Sequence, residues 1–314
     1  MNLRISIVII VLAVYGCKKE SNSKNFVGDI KSSEFSSKYL IEAEELLKIF
    51  KNPNIKIIDF RKPEFYLEEH LPRAINIWRT DIEDKTFPYK GMMASTAQIE
   101  NLFGSLGISD DNTIIIYDNN GLCDSARLWW ILQNYDFSNV KLLHGGIKAW
   151  KMNNGTISTT IPKSEKVNFT LPKSPSMKYY ISKDEMVEAI INEKMILDTR
   201  TDDEFSGKRQ KSGSFRGGRI PNSKVIDWSN AINYHGNMKL KPHERLFEIY
   251  KNFALKNDTL IVYCHSGVRS AHTTFVLTQV LGYKNVKNYD GSWTEWSYFN
   301  DLPIEQDSIT KIFN

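Results

Sequence analysis

The sequence has 314 residues, 41% hydrophobic, 12% aromatic and 25% charged. This is a globular composition and excludes a disordered tail, a collagen-like fibre and a coiled coil. The net charge of +4 comes from 41 basic and 37 acidic side chains that form no single block, so nothing marks a nucleic-acid partner. Three cysteines are too few for a disulfide-stapled scaffold. The length suits about two domains.

The chain opens with Arg4 and an apolar run from Ile5 to Tyr15, broken only by Ser6. A membrane-spanning helix needs roughly 20 apolar residues, so this run reads as a secretory signal peptide over residues 1–16. The run ends Val14-Tyr15-Gly16-Cys17, which resembles a bacterial lipobox. Cys17 is therefore the candidate lipidation site, and residues 17–37 are a polar tether. The expected location is the cell envelope, lipid-anchored to a membrane, facing the periplasm or at the outer membrane.

The remainder is a duplicated unit. Asn139 to Trp150 matches Asn285 to Trp296 at an offset of 146, and Thr113 to Asp118 lies on Thr259 to Cys264 at the same offset. Upstream, Ile57-Ile58-Asp59-Phe60-Arg61 lies on Ile196-Leu197-Asp198-Thr199-Arg200 at an offset of 139. Three blocks in one order imply duplication. The copies span 38–155 and 178–308, joined by an exposed, Pro-containing linker at 156–177.

In chain order, strands are expected at Ile55–Asp59, Thr113–Tyr117 and Val140–Leu143. Their counterparts are Met195–Asp198, Thr259–Tyr263 and Val286–Tyr289. Helices are expected over Ile41–Phe50, Ser125–Tyr135 and Ser270–Leu281, the last stopped by Gly282. Continuous apolar strands alternating with helices predict an α/β fold: each copy is a mainly parallel sheet flanked by helices.

One loop carries chemistry. Cys264-His265-Ser266-Gly267-Val268-Arg269 sits between a buried strand and a helix. Such a turn aims backbone N–H groups and the positive end of a helix into one cradle, which lowers a thiol pKa. Arg269 adds a fixed charge and a forked anion-binding group. The loop is built for a sulfur nucleophile, Cys264, and an anionic substrate. His265, Ser266, Gly267 and Val268 form the cradle. In the first copy Asp118 replaces the cysteine and Cys123 the arginine, so that copy keeps the fold without the chemistry. Cys123 is expected to be a partly buried small hydrophobe, with a Cys123–Cys264 disulfide a minor alternative. Between Lys208 and Arg219 stand five cations and no acid, either a solvated loop or a rim that steers anions.

The motifs Asp198-Thr199-Arg200, Glu204-Phe205-Ser206-Gly207, Gly218 to Ser223, the Cys264 loop and Asn288 to Trp296 together resemble the tandem-domain rhodaneses, the thiosulfate and 3-mercaptopyruvate sulfurtransferases. The resemblance covers both copies, roughly residues 38–308. It implies that Cys264 takes sulfur from thiosulfate or a similar small anionic donor, becomes a persulfide, and passes the sulfur to cyanide or a thiol. It implies Arg269 as a donor-binding residue, with Arg200 a second candidate. It implies no metal and no organic cofactor, and a monomer is expected. Ser266-Gly267-Val268 partly resembles the mercaptopyruvate enzymes. Arg269 to Thr273 and the Asn-Val-Lys-Asn-Tyr-Asp-Gly-Ser-Trp run look more like bacterial thiosulfate enzymes. Two rivals remain: a phosphatase, against which the loop is one residue short, and a non-catalytic sulfur-carrier or redox interaction module.

Overall fold

The computed structural model describes residues 37–307. The signal peptide, Cys17 and nearly all of the tether lie outside the described residues. Among the described residues, ten strands form two five-stranded sheets, one per copy. In the first copy the strands are β1 (Leu40–Ile41), β2 (Ile55–Asp59), β3 (Ile75–Asn76), β4 (Thr113–Tyr117) and β5 (Val140–Leu143). The helices are α1 (Ala43–Ile49), α2 (Pro63–Glu68), α3 (Thr96–Ser105), α4 (Cys123–Asn134) and α5 (Gly146–Met152). The second copy repeats the plan with β6 (Tyr180–Ile181), β7 (Met195–Asp198), β8 (Ser223–Val225), β9 (Thr259–Tyr263) and β10 (Asn285–Tyr289). Its helices are α6 (Lys183–Ile191), α7 (Asp202–Ser206), α8 (His243–Tyr250), α9 (Val268–Phe275) and α10 (Ser292–Tyr298).

The strand orders are β1-β5-β4-β2-β3 and β6-β10-β9-β7-β8, and every strand pair is parallel. The apolar runs explain this: Ile-Ile-Ile in β4 and Leu-Ile-Val in β9 are buried, as strands covered on both faces must be. The expected helix over 270–281 is α9 continued by a π-helical turn at Val276–Val280, and Gly282 in the left-handed region stops it.

The linker is exposed over most of its length, with two residues docked on the first copy. Phe169 and Leu171 are buried, and Phe169 packs edge-on against Phe103 at 4.9 Å. The Val167 N–H donates to the Gly104 carbonyl, and the Leu171 N–H to Glu100. Two apolar residues among the prolines sufficed to tack this irregular segment onto α3.

A single hydrophobic core joins the copies. Helices α4 and α9, which follow the two central strands, pack together, with Trp129 edge-on to Phe275 at 4.8 Å. All 12 residues of α4 are buried. Smaller cores lie on the outer face of each sheet. Polar contacts also cross the interface: Arg127 forms a buried ion pair with Asp290 at 2.6 Å, and Tyr89 donates to Glu295 at 2.7 Å.

Candidate active site

In parallel α/β sheets, the carboxyl ends of the strands collect functional groups. Cys264 follows β9 and Glu204 lies in the helix after the neighbouring β7. The Cys264 loop turns into α9 through Gly267, at φ +75°. Arg127 and the Asp290 carbonyl crowd Gly267, so a side chain fails there on both conformation and space.

Cys264 is 1% exposed, at the floor of the loop. The Ser270 hydroxyl donates to its Sγ at 3.4 Å. Burial alone would raise the thiol pKa. The Arg269 charge, the Ser270 hydroxyl and the N–H groups of Ser270 and Ser266 outweigh burial and hold it below the ordinary thiol value. The site therefore favours a thiolate.

The cradle differs in detail from the expected one. The Gly267 N–H is turned away from the sulfur and donates to Ser292 Oγ at 3.1 Å, as does the Cys264 N–H at 3.2 Å. Ser292 in turn donates to the Tyr289 carbonyl, so it fixes the loop to the end of β10. The His265 ring is buried with Nε2 against the Ser212 carbonyl at 3.1 Å. Burial first, then Lys211 and Arg269, lower its pKa to about 4, so it is neutral at pH 7. Val268 is the first helical residue of α9, and its side chain joins the core between the copies.

Arg269 is near the thiol, but its guanidinium is not free. It grips Glu204 with two hydrogen bonds of 2.7 and 2.9 Å. Despite burial, the Arg269 bonds and charge hold Glu204 at about 2. Arg269 is thus a fixed charge braced beside the sulfur.

Arg200 is a correction. It is 1% exposed, bonded to both Asp198 oxygens and to the Gly218 carbonyl, and stacked on Trp293 at 4.7 Å. Its guanidinium is committed to Asp198 and Gly218, so it ties β7 to the loop ending at Gly218 rather than facing the sulfur. Asp59 and Arg61 make the same pair in the first copy. Of the five cations between 208 and 219, Arg216 caps the carbonyls at the end of α10 and Arg219 pairs with Glu305 and Asp307. The Lys211 carbonyl accepts from the Ser214 N–H and hydroxyl, and its ammonium lies within electrostatic reach of Cys264.

The sequence assigned no role to Ser270, Ser292 or Glu204, although the last two lie in the motifs that carry the resemblance. The duplication held a signal for the last. Aligning the copies puts Phe65 opposite Glu204 and Cys123 opposite Arg269, so both members of the ion pair are replaced together. Cys123 is fully rather than partly buried; burial, then Asp124, push its thiol well up, and both it and Cys264 are free thiols.

A model of the rhodanese-like domain matches residues 42–153 and 182–298. A Corynebacterium glutamicum protein named thiosulfate sulfurtransferase is 30% identical over 282 residues, covering 87% of this chain and 92% of its own length. A Mycobacterium leprae relative, provisionally named a thiosulfate sulfurtransferase, is 38% identical over 248 residues, covering 76% and 87%. Among solved structures, Escherichia coli SseA, described as a 3-mercaptopyruvate sulfotransferase, superposes with a TM-score of 0.70 at 24% identity, covering 81% of this chain and 98% of its own. The chain belongs to the rhodanese family and carries two rhodanese-like domains in tandem.

Proposed function

We propose that this protein is a sulfurtransferase that moves a sulfane sulfur from thiosulfate, or a similar anionic donor, to cyanide or a thiol through a Cys264 persulfide. The observation that carries this reading is a thiol buried in a strand-to-helix loop and stabilised as thiolate by Arg269, Ser270 and two backbone N–H groups. The names of the relatives support it.

The thiolate lone pair attacks the outer sulfur of thiosulfate. The sulfur–sulfur bond of the donor breaks and sulfite leaves with the electron pair. The acceptor then attacks the outer sulfur of the persulfide, takes it, and returns Cys264 as thiolate. The N–H groups and the Ser270 hydroxyl stabilise negative charge on the sulfur before and after loading.

The test is a steady-state thiosulfate-to-cyanide assay, with 3-mercaptopyruvate as a second donor. Parallel double-reciprocal lines and a gain of about 32 Da on Cys264, the mass of one sulfur atom, are expected with thiosulfate alone. No persulfide with any donor would leave only a non-catalytic module. For its location, we propose a lipid anchor on Cys17 in the cell envelope, supported by the lipobox-like run. Labelled fatty acid should enter the wild type and not Cys17→Ala; an unlabelled wild type overturns the anchor.

A further inference from the structure

The catalytic loop of the second copy is walled by the first. Gly91 lies against Ser266: a Cβ at Gly91 would fall 2.7 Å from the Ser266 Cβ and 3.3 Å from its carbonyl oxygen. Two residues on, the Met93 N–H donates to Asp290 Oδ2 at 2.9 Å. Asp290 directly follows β10, and Ser292, two residues later, accepts from the N–H groups of Cys264 and Gly267. The Thr294 hydroxyl closes the same seam by donating to the Lys90 carbonyl at 3.0 Å. Gly91 and Asp290 are thus two supports of the loop, one from each copy.

Arg127, on α4 of the first copy, joins these supports. Its side chain is 3% exposed. Nη2 lies 2.6 Å from Asp290 Oδ1 and donates to the Gly91 carbonyl at 2.8 Å. The guanidinium stacks over Trp130 at 4.8 Å, and Nη1 sits against Gly267, where a Cβ would come within 2.7 Å of it. Nη1 is buried and has no hydrogen-bond partner among the described residues. An unpaired buried donor costs stability, so a group kept only to glue the copies together should satisfy both ends of its fork. The clamp also runs one way. The second copy docks on the first by the equivalent bond, Leu240 N–H to His144 Nε2 at 3.0 Å, and His144 aligns with Asp290. Thr273, however, aligns with Arg127, and Gly146 with Ser292. The arginine and the serine are both confined to the loop that carries the thiol.

We infer that Arg127, supplied by the copy without a nucleophile, is a positioning residue for Cys264: by clamping Gly91 to Asp290 it fixes the loop in the shape that activates the thiol. It acts through Ser266, packed on Gly91, and through the Cys264 and Gly267 N–H groups, tied to Ser292. The inference rests on the sulfur-transfer reading for its purpose, while the reactivity of the thiol can be read without any sulfur donor.

The test is the pH profile of Cys264 alkylation by iodoacetamide, followed on the Cys264 peptide. Arg127→Gln alone strands Asp290 in the interior, so the working variant is Arg127→Gln/Asp290→Asn, which removes both charges. Its profile should move to higher pH, with alkylation about tenfold slower on the rising limb, as expected for a thiolate that has lost one aligned donor. Arg127→Lys keeps the charge beside Asp290 but lacks the fork to hold Gly91 as well, and should slow alkylation only about threefold. Trp129→Phe weakens the same interface away from the loop; it should lower the thermal midpoint and leave the profile in place. A profile unmoved in both Arg127 variants, or moved equally by Trp129→Phe, would make Arg127 mere interface glue and overturn the inference. Should the double variant fail to fold, Arg127→Lys decides by the same profile. Treatment with thiosulfate separates the two readings. If the wild type never gains one sulfur mass while the Arg127 variants shift the profile, the proposed function falls and Arg127 stands as the positioner of a reactive thiol.

Discussion

Asp118 and Cys264 occupy one position in two copies of one loop, and the two loops treat their anion differently. The Asp118 carboxylate accepts from the N–H groups of Asn120, Leu122, Asp124 and Ser125 and from the Ser125 hydroxyl, all within 3.1 Å. It fills its cradle with its own side chain. Cys264 offers one polarizable atom to fewer donors, and its charge is completed by Arg269 from the loop's end. A cradle filled by a carboxyl side chain is a structural knot, and burial beside Asp124 raises the pKa of that carboxyl. The same cradle around a single sulfur keeps donor capacity for a second sulfur. Loss of chemistry in the first copy thus required no change of fold.

The largest break in this comparison is removal of the nucleophile. Cys264→Ser should reduce sulfur transfer by roughly 10³-fold or more and abolish the adduct of one sulfur mass. Adding Asp118→Cys to that variant should restore nothing, because Phe65 and Cys123 stand where Glu204 and Arg269 are needed. Turnover by the double variant would show that the cradle alone suffices.

Arg200→Ala and Arg61→Ala probe what the copies share. Each strands a buried aspartate, and each should cost about 3–5 kcal/mol in thermal or denaturant unfolding. Any Arg200→Ala protein that still folds should keep its KM for thiosulfate. A raised KM at full stability would return Arg200 to the substrate site.

Glu204 sharpens the contrast through pH. Its folded pKa, about 2, lies below the ordinary 4.5. The pair therefore stabilises the fold above about pH 5, and this share is lost as pH falls toward 2. The shift corresponds to on the order of 3 kcal/mol. Glu204→Gln should flatten stability across that window; an unaltered acid-unfolding profile would contradict the pairing.

Smaller effects should follow at the sulfur and its approach. Ser270→Ala removes a hydrogen bond to the thiolate, worth roughly 1–2 kcal/mol, so the rising limb of the pH–rate profile should move to higher pH. A profile that stays in place would show that Arg269 and the N–H groups suffice. Lys211→Gln should slow kcat/KM for thiosulfate about threefold at low salt and not at high salt, as expected for an exposed steering charge. A salt-independent loss would mean direct contact instead.

The fold was legible in the sequence because its signal is local and repeated. The apolar runs marked β2, β4, β5, β7 and β9 to the residue, and the internal match paired the strands of one copy with those of the other. The nucleophile was legible because a Cys before a Gly-containing turn, between strand and helix, is a local pattern. Partnerships were not. Arg269 and Glu204 are 65 positions apart, and the sequence shows an arginine's charge but not which carboxylate has claimed it. Arg200 misled for the same reason: its partner Asp198 is two residues away, and their mutual burial appears only once β7 is placed inside the sheet. In the linker the prolines marked a mostly solvated segment, but not that Phe169 and Leu171 would dock on the first copy.

A helix with no free face constrains descent as well as stability. Every residue of α4 is covered, much of it by the partner copy, so a lone catalytic copy would present the apolar wall of α9, including Phe275, to water. Cutting the gene between the copies would yield an insoluble half rather than a smaller enzyme. A single-copy descendant would first need to repaint that wall with polar side chains. Until then the idle copy is retained by its partner's surface, and drift is free to act mainly on the loop that once did chemistry.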